Sequence, residues 1–188
     1  MGDERLAPIL GTHSIPTLSP RRNSAFESLS RSIVGQQLAT GAARAIWERC
    51  RAIPTRWTPA RVLEMPVSAL KSSGLSQAKT RTLYGLATYF ESDGRPRRFS
   101  TLSDDEIRSS LTGVWGVGDW TVDMFLMFHL AREDVFPAGD GAIQRAMVEL
   151  YGEQAAGTSS QREEIAAAWS PHRTRACMIL WSWLDAGM

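Results

Sequence analysis

Apolar residues recur every three to four positions through most of this chain, the period of a helix that buries one face. Phe26, Leu29, Ile33 and Val34 set the spacing first, and Ser24 with Glu27 stands ahead of them at capping-box distance. The run breaks at Gly35-Gln36-Gln37 and resumes over 38–53. Short helices are predicted over 59–64 and 66–72, each opening on a proline, which a first turn tolerates because its N–H has no partner inside the helix. Ser76 is placed to cap a helix over 76–90, and the polar stretch 91–99, with Asp93-Gly94 and Pro96, reads as a loop. Ser103-Asp104-Asp105-Glu106 repeats the capping-box signal. Further helices are predicted over 119–131, 140–151, 160–169 and 171–185. No sustained period-two alternation, internal repeat or low-complexity tract appears. The pattern predicts an all-α domain of about ten short helices over 23–188, with 1–22, which holds Pro8, Pro16 and Pro20, as a loosely ordered lead-in.

Composition adds exclusions. The chain has 188 residues, 43% hydrophobic and 22% charged, which is the balance of a globular domain and not of a disordered or collagen-like chain. No apolar run approaches the ~20 residues of a membrane helix. The first ten residues, MGDERLAPIL, lack the basic and apolar blocks of a secretory leader, so the expected location is cytoplasmic, with no membrane partner. Cys50 and Cys177 are too few for a four-ligand zinc or iron–sulfur site, and each sits in an apolar-periodic stretch as a buried thiol would. His13, His129 and His172 show no metal-ligand spacing. The formal net charge of +1 neither demands nor forbids a nucleic-acid partner. Only Lys71 and Lys79 among the 21 basic residues are lysines.

Two places carry candidate chemistry. Gly113-Val114-Trp115-Gly116-Val117-Gly118 lies between two predicted helices. Its glycines serve either a tight turn alone or also an anion site, since the following helix starts with unpaired N–H groups and a positive dipole end. Asp140 stands before Gly141-Ala142-Ile143 as a good helix N-cap, and an acid there also suits that helix end.

The stretch from Leu111 through Gly113-Val114-Trp115-Gly116-Val117-Gly118 to Trp120-Thr121 and Phe125, followed by Phe136-Pro137 and Asp140, resembles the helix-hairpin-helix (HhH-GPD) DNA glycosylase signature. Ser32-Ile33-Val34-Gly35-Gln36-Gln37-Leu38 and the tail Pro171-His172-Arg173-Thr174-Arg175-Ala176 into Ile179-Leu180-Trp181 are similar to the 3-methyladenine DNA glycosylase II (AlkA-type) branch. The likeness covers about 23–187, and the chain resembles compact members that lack an N-terminal sheet domain.

The resemblance implies a two-lobed helical fold with the active-site cleft between lobes, and a glycosylase that flips and hydrolytically excises alkylated bases from double-stranded DNA, as a monomer. It makes Asp140 the catalytic carboxylate, because breaking an N-glycosidic bond builds positive charge on the sugar that a carboxylate stabilises. Trp120 and Trp181 become walls of the base pocket, where a cationic alkylated base gains from indole faces. Met124 stands where larger bacterial members carry Tyr. Lyase-type relatives carry a Lys just after the hairpin; Trp120 stands there, which points to water as nucleophile and an intact abasic strand as product. Gln36, Gln37 and Leu38 fall in the turn that wedges into the duplex. Gly116 and Gly118 N–H groups, with Thr121, would face a DNA phosphate, and the carbonyls of Thr112, Val114 and Gly116 would hold Na+ or K+. No catalytic cofactor and no iron–sulfur cluster is implied. Asp119 departs from the pattern, since an acid repels phosphate, and its side chain is expected to point away. Arg44, Arg145, Arg173 and Arg175 are candidates for basic surface. A non-catalytic hairpin module would explain Gly116 and Gly118 but not Asp140 with Trp120 and Trp181. A bifunctional lyase is disfavoured by Trp120, and a helix-turn-helix regulator is more distant still.

Overall fold

The computed structural model describes residues 3–10, 17–92 and 98–187. Among the described residues it contains no strand and twelve α-helices. They are α1 (Ala7–Leu10), α2 (Ala25–Gly35), α3 (Thr40–Arg51), α4 (Pro59–Glu64), α5 (Val67–Ser72), α6 (Gln77–Glu91), α7 (Asp104–Thr112), α8 (Asp119–Phe128), α9 (Gly141–Tyr151), α10 (Glu153–Ala156), α11 (Ser159–Ala167) and α12 (Arg173–Asp185). His13, Pro16 and the turn expected at Asp93-Gly94 with Pro96 lie outside the described residues.

The helix starts follow the polar residues that precede them. Ser24, Thr58, Ser76, Ser103, Asp140 and Thr158 each turn a side-chain oxygen onto an unpaired N–H of the first turn. Each such cap contributes about 1 kcal/mol. Ser103 with Glu106 closes a reciprocal capping box. Where boundaries differ from the periodicity, the backbone gives the reason. The third helix starts at Thr40 rather than Leu38 because Gln37 adopts φ 55°, a left-handed conformation that no helix continues through. Helix α8 stops at Phe128, three residues early, because Ala131 is left-handed (φ 56°) and the Arg132 N–H turns back to the Leu126 carbonyl. The short α1, α10 and a 3₁₀ turn at Phe99–Thr101 carry too few residues for their period to register.

The chain divides into two compact units, Arg21–Phe125 and Met1–Pro20 with Leu126–Met188, the boundary falling inside α8. In the first, α6 packs on α2 and α4. Phe26, Leu29 and Ile33 of α2 and Leu83, Leu86 and Phe90 of α6 are buried there. A series of ring contacts runs through Phe26, Phe90, Phe99 and Phe125, edge-to-face in the first and last pairs and tilted between Phe90 and Phe99. Burying a side chain such as Phe26 contributes about 1.5–3 kcal/mol.

In the second unit α12 packs on α9, burying Ile143, Ala146 and Met147 on one side and Ala176, Cys177, Ile179 and Leu180 on the other. The lead-in expected to be loose is tied into this unit. Leu6 is fully buried, and the Asp3 carboxylate accepts the Tyr151 hydroxyl at 2.7 Å and the Trp169 indole N–H at 2.9 Å. Proline count misled here because one buried leucine and one carboxylate anchor the segment. Among the described residues no helix is long and apolar enough to cross a membrane.

Candidate active site

Asp140 ends a short turn whose own bonds set its position. Its N–H donates to the Pro137 carbonyl at 2.9 Å, and the Gln144 side chain reaches back to the Ala138 carbonyl at 3.2 Å. The segment leading into this turn is clamped to the start of α12. The Asp134 carboxylate accepts from Arg173 Nε at 2.7 Å and Nη2 at 2.9 Å, and from the Ser170 hydroxyl at 2.9 Å. Arg173 holds the Asp134 carboxyl below the ordinary range, against the opposing effect of burial. The buried Thr174 hydroxyl accepts from the Val135 N–H at 3.0 Å and donates to the Arg132 carbonyl at 2.6 Å. Two turns along α12, Trp181 projects its indole N–H onto Asp140 Oδ1 at 3.0 Å. The same oxygen accepts the Ala142 and Ile143 N–H groups at 3.0 and 2.9 Å.

The cap and the candidate carboxylate are therefore one group: the side chain that starts α9 is held at the positive end of that helix by two backbone donors and an indole. Trp181 is half-buried and lies 5.8 Å from the Phe128 ring. Its N–H, rather than its face, is what sequence reasoning did not assign. Arg173 and Arg175, offered as basic surface, face Asp134 and Glu133 at 2.7 and 3.2 Å, so their charge is used inside the unit. Arg44 and Arg145 remain exposed.

The other unit carries the hairpin between α7 and α8. Gly116 has φ 82°, and a Cβ there would overlap the side chain of Thr82 on α6, so both conformation and space require glycine. Gly118 is different: a Cβ would meet nothing within 4 Å, so this position is open. Arg108 of α7 donates to the Asp123 carboxylate of α8 and lies 3.6 Å from Asp119, clamping the two helices. Asp119 is exposed, and this cation beside it offsets the acid that departs from the family pattern.

Gln36 and Thr121 meet beside the hairpin. The Gln36 amide donates to the Gly116 carbonyl at 3.2 Å and to Thr121 Oγ1 at 2.9 Å, while its own carbonyl accepts Lys79 Nζ at 2.6 Å. Gln36 thus ties its turn to the hairpin, and Thr121, 1% exposed, accepts that bond and keeps its own hydroxyl proton to donate. Gln37 and Leu38 are exposed beside it. Trp120 is half-buried and Met124 buried, both on α8 in this same unit. Thr112 is exposed at the end of α7. The Val114 carbonyl accepts the Val117 N–H at 3.0 Å and the Gly116 carbonyl accepts Gln36, so each keeps a second lone pair. Neutral oxygens of this kind suit a hard cation.

A family model described as HhH-GPD superfamily base excision DNA repair protein matches residues 30–172, a span that takes in the hairpin and Asp140. The chain belongs to that superfamily. It is 31% identical over 183 residues to DNA-3-methyladenine glycosylase 1 of Schizosaccharomyces pombe, covering 95% of this chain and 80% of that one. Its fold matches the solved 3-methyladenine DNA glycosylase of the same yeast in complex with abasic DNA, with TM-score 0.87 and 30% identity over 96% of this chain and 91% of that one. It also matches the DNA-3-methyladenine glycosidase of Bacillus halodurans, with TM-score 0.78 and 31% identity over 95% and 83% of the two chains.

Proposed function

We propose that the chain is a monofunctional DNA glycosylase that excises alkylated bases of the 3-methyladenine kind from double-stranded DNA by hydrolysis, leaving an abasic site. The observation that carries this reading is the Asp140 carboxylate, fixed by the Ala142, Ile143 and Trp181 N–H groups. As the C1′–N bond breaks, its electron pair leaves with the base and positive charge grows on the deoxyribose. A carboxylate held in place needs no reorganisation to stabilise that charge. Water then adds at C1′ and gives up a proton, for which Asp140 is the candidate base. An alkylated purine that is already cationic leaves as a neutral base, so little general-acid help is required. Hydrolysis rather than amine attack is favoured because Trp120 follows the hairpin and Lys79, whose Nζ donates to the Val34 and Gln36 carbonyls, is committed to the end of α2.

Trp120, Trp181 and Met124 are the residues assigned to the flipped base, and Gln36, Gln37 and Leu38 to the space it vacates. The Gly116 and Gly118 N–H groups, with Thr121, are assigned to a backbone phosphate. Carbonyls of Thr112, Val114 and Gly116 would hold a Na+ or K+ ion, whose charge would face the same phosphate. The enzyme is expected to act as a monomer, in the cytoplasm on nucleoid DNA. The test is incubation with methylated duplex DNA, chromatography of the free bases and borohydride treatment of the reaction. Released 3-methyladenine without a trapped protein–DNA adduct is the expected result. Duplex binding with no base release would make the chain a binding module instead, and a trapped adduct would make it a lyase.

A further inference from the structure

Trp115 sits at the tip of the hairpin, immediately before Gly116, and is 49% exposed, the only tryptophan among the exposed large apolar residues described. Over its ring, with the guanidinium carbon 4.1 Å from the centroid, lies Arg81 of α6. The next residue, Thr82, is the buried side chain packed against Gly116. One turn of α6 therefore does two things side by side: Thr82 seats the hairpin and Arg81 sets its guanidinium over the outermost ring. Arg51, Arg61, Arg108, Arg173 and Arg175 each face a carboxylate, whereas among the described residues none pairs with Arg81.

A guanidinium stacked on an indole spends its face on the ring and keeps its N–H edge for a second partner. The fork of that edge matches the oxygens of a phosphate. Because the stack already limits the rotamers of a long side chain, less freedom is lost when a ligand is gripped.

We propose that Arg81, held by Trp115, is a second phosphate-binding group beside the hairpin, so that this unit holds the DNA backbone by a side-chain cation as well as by hairpin N–H groups. Trp115 is in this account a positioning residue, acting through Arg81. The proposal rests on the glycosylase reading for its partner, double-stranded DNA, and adds a contact that the hairpin motif does not contain.

The test is a salt titration of duplex binding by fluorescence anisotropy, using undamaged DNA and DNA with an abasic site. With few cationic contacts, the wild-type slope of log affinity against log salt is expected at about −2 to −4. Arg81→Gln should weaken binding to both duplexes about three- to tenfold at low salt and make the slope shallower by about 0.9. Trp115→Leu keeps an apolar side chain at the tip but removes the face that pins Arg81, and should weaken binding by less. The double variant should bind no worse than Arg81→Gln alone. An unchanged slope in Arg81→Gln overturns the proposal, and additive losses in the double variant overturn the positioning role by showing that Trp115 meets DNA by itself. A wild type that binds no duplex at all would fail the underlying reading as well, which separates the two failures.

Discussion

The two units carry their chemistry in different ways. In the unit of residues 1–20 and 126–188, the group of interest is one side chain, Asp140, held by two N–H groups of its own helix and by Trp181. In the unit 21–125 it is backbone, the hairpin at 113–118, and side chains from elsewhere hold it: Thr82 under Gly116, Gln36 on the Gly116 carbonyl and Arg108 across α7 and α8. The difference teaches where function and folding can be separated. A carboxylate on a finished helix can be changed with the fold intact, whereas a backbone site is inseparable from the packing that shapes it.

The largest expected effect follows from the first half of that contrast. Asn is as good a helix cap as Asp and keeps an oxygen for the Ala142, Ile143 and Trp181 donors. Asp140→Asn should therefore melt within a few degrees of wild type and bind an abasic duplex about as well. Its single-turnover excision should fall by about 10²–10³-fold, the loss of one preorganised electrostatic contact to the transition state, about 3–4 kcal/mol. Excision within threefold of wild type would remove Asp140 from the chemistry.

The hairpin should respond in the opposite manner, and its two glycines separate the causes. Gly116→Ala forces a Cβ into Thr82 at φ 82°, so it should destabilise the fold by about 2–4 kcal/mol before any DNA is added. Gly118→Ala meets no neighbour, so it should leave the melting temperature unchanged and weaken binding to all duplexes alike, because phosphate contacts position the protein without reading bases. A Gly118→Ala variant that binds as wild type would place the DNA backbone elsewhere.

The helices were legible because each start is written in local chemistry: the Ser24, Ser76, Ser103 and Asp140 caps and the apolar spacing behind them need no tertiary information. Asp140 and the hairpin glycines were legible as motifs for the same reason. What sequence could not carry was the partnership of residues far apart in the chain. Gln36 and Gln37 look alike as a pair, yet one turns 80 residues along the chain to the Gly116 carbonyl and the other is exposed. Arg173 and Arg175 read as free cations until Asp134 and Glu133 are placed opposite them. Arg81 over Trp115 has no local signal at all, since neither residue's spacing refers to the other. The anchoring of Leu6 and Asp3 depends likewise on Tyr151 and Trp169, more than a hundred residues away.

The smallest expected effect sharpens the account of how the hairpin is held. Asp123, 4% exposed on α8, receives a hydrogen bond from Arg108. Burial pushes its carboxyl up to about 6, and the nearby Asp119 and Asp104 add to that push, while the bond and charge of Arg108 oppose it without prevailing. The direction of the linkage follows. An acid whose folded value lies above its ordinary one stabilises the fold fully below the ordinary value near 3.8, and that contribution is lost as pH rises through about 6. With those two values, about 1 kcal/mol of stability should disappear between pH 5 and pH 8. Asp123→Asn keeps an acceptor for Arg108 and cannot ionise, so it lacks this loss while forfeiting some strength of a charge-assisted bond. Thermal unfolding of both proteins at pH 5, 6, 7 and 8 should show the variant gaining on wild type as pH rises. A shift of about 2–4 °C between the ends of that range corresponds to about 1 kcal/mol in a chain of this size. Parallel curves would mean that Asp123 is ionised throughout and that the clamp between α7 and α8 is an ordinary ion pair.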